Sequence, residues 1–177
     1  MLHYWHSVLD RWLPTQGAGG GSRRDGASAE QLAAAETRLG VSLPRSYRTF
    51  LQATNDCLTG SDFVYELWPA EGIDWFQKLN PQWVEACTGP HLPDGPTVSD
   101  DKYFDYGASQ DPAYLRVEYL TTALQISPRG DSAVYLLNPQ VVTEDGAWEA
   151  WFFANWLPGA TGYRSFVEMI LKEYKLA

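Results

Sequence analysis

Residues 145–156 read DGAWEAWFFANW, with three tryptophans and two phenylalanines in twelve positions. In a strand, successive side chains point to opposite faces. Trp148, Ala150, Phe152, Ala154 and Trp156 then share one face, and Glu149, Trp151, Phe153 and Asn155 the other. A strand with one solvated face carries polar residues on that side. This one is aromatic on both faces at its middle, so it is expected to lie centrally in its sheet under two covering layers. Trp151, Phe152 and Phe153 are expected in the core. Trp148 and Trp156 stand at the strand ends, where an indole with an apolar body and a polar N–H suits an opening.

Outward from this strand, EYLTTALQIS (118–127) and SAVYLLN (132–138) read as further strands, with turns at Pro128–Asp131 and Asn138–Gly146. Sequential strands with short links pair antiparallel. TGYRSFVEMILKEYKL, from residue 161, reads as a closing helix with Tyr163, Phe166, Ile170 and Tyr174 on one side and Val167 and Leu171 beside them. Three helices are expected before the sheet. Trp5, Val8, Leu9 and Trp12 make one stripe, which Pro14 ends. In SAEQLAAAETRLG (28–40), Ser28 and Gln31 form a capping box and Gly40 supplies the left-handed stop. In LPRSYRTFLQATND, Pro44 suits the first position, Tyr47, Phe50 and Leu51 point one way, and Asn55 is expected to stop the helix in a left-handed turn. The order predicts a single α+β domain over 1–177: N-terminal helices, a central antiparallel sheet, and a C-terminal helix packed on it. Two loops interrupt it. Residues 17–26, GAGGGSRRDG, read as flexible, with no Gly-Lys-Ser/Thr to make a phosphate cradle. The region 61–118 is irregular; IDWFQKL (73–79) suggests a short helix, and 88–113 a long acidic loop.

A chain of 177 residues, 45% apolar and 14% aromatic, can bury a core without staples. Cys57 and Cys87 make no disulfide framework and no C-x-x-C site. The N-terminal residues lack the apolar core of a secretory leader, and the longest wholly apolar run, AVYLL (133–137), is far short of a membrane span. A cytoplasmic location, with no membrane partner, is expected. The net charge of −9 is concentrated: residues 61–118 carry eleven acidic and three basic side chains. Such a field disfavours nucleic acid and speeds encounter with a basic protein.

No catalytic constellation emerges. Gly130-Asp131-Ser132 has the letters of an esterase nucleophile block, but no histidine follows Ser132 to serve as its base, so a turn is expected there. His3 and His6 lie one helical turn apart without a well-spaced third metal ligand, and His91 sits in a loop. Carboxylate pairs such as Asp100/Asp101 and Glu144/Asp145 are too common to signify acid–base chemistry. Neither enzyme, metal nor cofactor is expected.

RLGVSLPRSYRTFLQATND resembles the signature of the SUKH superfamily, which includes fungal Smi/Knr cell-wall regulators and many bacterial immunity proteins. The matching residues are Leu39, Gly40, Leu43, Pro44, Tyr47, Phe50, Leu51 and Asn55, with Asp56 in place of the family's glycine. GDSAVYLLNP and GAWEAWFFANWLPGATGYRSFVEMI are similar to the later sheet and closing helix of the same family, so the resemblance covers about residues 28 to 174. It implies a non-catalytic domain that acts by binding, in bacteria by neutralising a cognate toxin, often a nuclease. A basic nuclease would suit the acidic middle region as a partner. On that basis the docking surface is expected to draw on Asp94, Asp100, Asp101, Asp105 and Asp111, with Tyr103, Phe104 and Tyr106 as aromatic anchors. Those rings could equally pack inward and leave only solvated aspartates. Trp148 and Trp156 are further surface candidates. A regulatory adaptor of the fungal type and a small-ligand module built on the two tryptophans are the alternative readings.

Overall fold

A computed structural model describes residues 1–12, 25–55, 62–64, 66–89 and 94–176. The expectations for the side chain of Trp12, for Pro14, for loop residues 17–24 and for Asp56, Cys57 and His91 fall outside them.

Three helices open the chain: α1 (Leu2–Trp12), α2 (Ala29–Leu39) and α3 (Arg45–Ala53). In α2 the sequence signals act as expected. Ser28 Oγ accepts from the Gln31 amide while the Gln31 side chain accepts from the Ser28 amide, and Gly40 ends the helix at φ 70°. Helix α3 ends differently. Thr54 is its C-cap and is extended, and Asn55 uses its side chain to bridge, accepting from Ala70 N at 2.8 Å and donating to Glu71 at 3.2 Å. The side-chain bonds replace the expected left-handed turn.

The middle region is more ordered than its composition suggests. Asp74–Trp75 is a short strand, β1, followed by one turn of helix, α4 (Phe76–Leu79). Helix α5 (Pro81–Thr88) has proline at its start, where the missing N–H costs nothing, and α6 is the single turn Asp100–Tyr103. The expected strand 118–127 divides into a 3-10 turn, Val117–Thr121, and a two-residue strand, β2 (Leu124–Gln125). The sheet continues through β3 (Ala133–Val142), β4 (Trp148–Ala154) and β5 (Ala160–Tyr163), all antiparallel in the order β1-β2-β3-β4-β5. β3 runs past the turn expected from Asn138, with an irregularity in its pairing between Asn138 and Val142, and turns at Thr143–Gly146. β5 occupies residues assigned by periodicity to the closing helix; α7 itself is Phe166–Glu173, capped by Ser165. Tyr163 thus belongs to the sheet. At Gly130–Ala133 the end residues exchange both backbone hydrogen bonds around Asp131 and Ser132, which have positive φ, so this stretch is a tight turn.

β4 is an interior strand between β3, which is the central one, and the edge strand β5, and it is covered on both faces. Trp148, Ala150, Phe152 and Ala154 join the cluster formed with α1, α2, α3 and α7, where Trp5, Tyr47, Phe50 and Phe166 meet as an aromatic knot. Trp151 and Phe153 join a second cluster with Phe76, Val84, Tyr103, Leu115 and Leu120 from the middle region. The register places Tyr135 beside Phe152 and Leu136 beside Trp151, so each face continues across strands.

Candidate functional site

The acidic middle region is the second cover of the sheet, and its inner surface is fixed by two buried charged residues. Glu149 projects from the loop-covered face of β4. Its carboxylate accepts from Tyr103 Oη and Tyr106 Oη, both at 2.6 Å, and from Asn138 Nδ2 at 2.8 Å. Burial raises its pKa, against the lowering effect of these hydrogen bonds. Burial and the adjacent Glu149 charge likewise push both tyrosine hydroxyls up, so they remain neutral donors. Two residues of the loop are therefore tied to one carboxylate of the sheet.

Arg116 is the second fixture. Its side chain is buried; Nε donates to Val98 O at 2.9 Å, Nη1 to Tyr119 Oη at 3.2 Å, and Nη2 to Asp100. Its guanidinium lies 4.6 Å from the Tyr103 ring centre and 5.5 Å from that of Phe104. Burial opposes its charge, but the Asp100 and Tyr119 oxygens outweigh that effect and raise its pKa.

The same segment closes the outer edge of β5. Ala160 N donates to Pro112 O at 3.0 Å and Gly162 N to the Gln110 side chain at 2.8 Å. An exposed strand edge invites pairing with other chains; here the loop satisfies it. A Cβ at Gly159 would stand 2.1 Å from Pro112 O, so only glycine allows this approach. Between loop and sheet, beside Glu149, the remaining void is about 10 Å³, room for about one water and no larger ligand.

The candidate residues divide accordingly. Tyr103 is buried and Tyr106 partly buried, both with their hydroxyls on Glu149, which makes them inward ties. Phe104 is 43% exposed, beside Asp100 and Asp101, which also face solvent. Asp101 is held below the ordinary carboxylate range by hydrogen bonding from Ser99. Asp111 is exposed and accepts from Ala113 N; Asp105 is partly buried and accepts from Ser109 Oγ; Asp94 is exposed. Tyr114, not selected from sequence, is 38% exposed and lies under Lys102 Nζ at 4.9 Å, which links it to the Asp100–Phe104 turn. Its signal was weak: one aromatic after a proline turn, with no period to place it.

Trp148 is only 7% exposed and belongs to the helix-side core, so it leaves the surface set. Burial wins because β4 still pairs with β3 at that end, Trp148 opposite Val142, and the indole packs into the helix-side cluster. Trp156 is 46% exposed, but its ring neighbours are Phe63 and Phe152 on the helix-covered side of the sheet, apart from the acidic segment. Among the described residues no group of three histidine, cysteine or carboxylate side chains is placed to hold a metal ion, and no helix is long and apolar enough to cross a membrane.

What this arrangement offers is an anchored patch: carboxylates and two partly exposed rings outside, tied down by Glu149 and Arg116 inside. Comparison with curated proteins finds no match. The model of the SMI1 / KNR4 family (SUKH-1) matches residues 26–169, from the start of the α2 capping segment into α7 and across both covers of the sheet. The chain therefore belongs to the SMI1/KNR4 (SUKH-1) family.

Proposed function

We propose that this protein is a non-catalytic immunity protein that neutralises a basic toxin, a nuclease by preference, by covering its surface with the Asp94–Tyr114 face. The observation that carries the reading is that Phe104 and Tyr114 stay exposed among carboxylates on a segment whose underside is tied to the sheet. A segment already ordered does not lose conformational entropy on docking, which favours affinity. Exposed rings supply anchors at an interface core, and the surrounding negative charge steers a basic partner into encounter. Family membership supports a role in binding. A nuclease active surface is basic because it holds phosphates, so an acidic cover competes for the same ground.

The test is affinity for candidate basic nuclease toxin domains, measured over a range of salt. Phe104→Ala is expected to weaken binding by about 2 kcal/mol, as a hot-spot truncation does. Joint replacement of Asp101, Asp105 and Asp111 by Asn is expected to slow association and flatten its salt dependence. Unchanged affinity and salt slope in both variants would remove this face as the docking surface.

A further inference from the structure

A cleft of about 350 Å³ opens where the first turns of α3 and α7 meet the β3–β4 turn, lined in part by Tyr4, Ser46, Asp145, Arg164, Ser165 and Val167. Its size is at the small end of the range for small-molecule sites, about 300–1,000 Å³. Ser46 is 7% exposed, and its Oγ has no hydrogen-bond partner among the described residues. Ser46 lies in the first turn of α3, whose N-cap is Pro44 and which has no side-chain cap. The free N–H groups and positive end of that helix therefore reach the same wall. Helix α7 differs, since Ser165 Oγ already accepts from Glu168 N.

Two opposite charges complete the lining. Arg164 is exposed, only loosely paired with Glu168 at 3.9 Å, and rests over the Tyr106 ring at 5.1 Å, which leaves guanidinium donors uncommitted. Asp145 is exposed and accepts from Thr143 Oγ1. A simple anion would face Asp145 without compensation, and a simple cation would face Arg164 and the helix end. Tyr4 and Val167 add apolar wall. We propose that the cleft binds a free α-amino acid with an apolar side chain. Its carboxylate would meet Arg164 and the α3 N-terminus, its ammonium Asp145, and its side chain Tyr4 and Val167. None of these lining residues belongs to the acidic face, which the site touches through Arg164 on Tyr106, and the proposal does not rest on the partner reading.

The experiment is an NMR titration of the full chain with L-leucine and L-phenylalanine. Saturable shifts are expected at amides of residues 45–47, 143–147 and 164–167. Leucinamide, which lacks the carboxylate, and N-acetylleucine, which lacks the ammonium, are each expected to bind at least about tenfold more weakly, the effect of losing one hydrogen bond to a charged group. Arg164→Met and Asp145→Asn should each weaken leucine binding about tenfold or more; unfolding temperatures of both variants confirm that the fold is retained. No saturable binding of either amino acid overturns the proposal. So does leucinamide or N-acetylleucine matching leucine, or wild-type affinity in both variants.

Discussion

The two faces of the sheet are covered by different means. Helices α1, α2, α3 and α7 cover one face with apolar side chains that interlock, and the aromatic knot around Phe166 holds ring centres 4.7 to 5.9 Å apart. The acidic region covers the other with fewer apolar contacts and with polar ties: Tyr103 and Tyr106 to Glu149, Arg116 to Val98 and Asp100, and Gln110 to Gly162. Apolar burial is non-directional and spreads over many atoms. A polar tie is directional, and losing one partner strands the other in a dry site. One cover is thus expected to fail with the whole molecule, and the other to lift by itself.

The largest effect should come from the helical side. Phe166→Ala removes the ring shared by Trp5, Tyr47 and Phe50 and is expected to cost about 3–5 kcal/mol in urea unfolding, as one cooperative transition. Survival of a cooperative unfolding midpoint near that of the parent would deny the knot its role. Next comes Glu149→Ala, which strands Tyr103 and Asn138 and is expected to cost about 1–3 kcal/mol. Its signature is local: faster amide exchange over residues 98–116 while 29–53 stay protected. Exchange raised equally on both faces would erase the distinction drawn here.

The smallest effect is in the pH dependence. Burial, opposed by the hydrogen bonds from Tyr103, Tyr106 and Asn138, holds the Glu149 pKa above 4.5. In the window between 4.5 and that raised value the folded chain keeps a proton that the unfolded chain has lost, so the contribution of Glu149 to stability falls as pH rises through it. Glu149→Gln has no such loss. Its stability relative to the parent should therefore improve between about pH 4 and pH 7, read as the difference in urea midpoint. A difference that stays flat, or moves the other way, would mean that the carboxyl is not held up by burial.

The same contrast explains what could be read in advance. Leu32, Ala35 and Leu39 in α2, and Tyr47, Phe50 and Leu51 in α3, recur at helical spacing and are buried. The alternation in WEAWFFA assigned each residue of β4 to its face. On the other side Glu149 read as one more acidic residue, and Arg116 as one more base. Tyr103, Phe104 and Tyr106 are near neighbours in sequence, yet Tyr103 and Tyr106 turn inward to a carboxylate more than forty positions away, and Phe104 turns out. β5 was hidden because a four-residue strand next to a helix has too few positions to establish its own period.

By itself the sequence determined the capped helix α2, the two-faced interior strand β4, the antiparallel order and the placement of negative charge, because each rests on local spacing or on composition. Tertiary structure alone decided which aromatic rings remain outside, which carboxylate is buried as a tie, and where Arg164 and Asp145 line one cleft. Those outcomes depend on hydrogen bonds and burial between residues distant in the chain, and no repeat along the backbone encodes them.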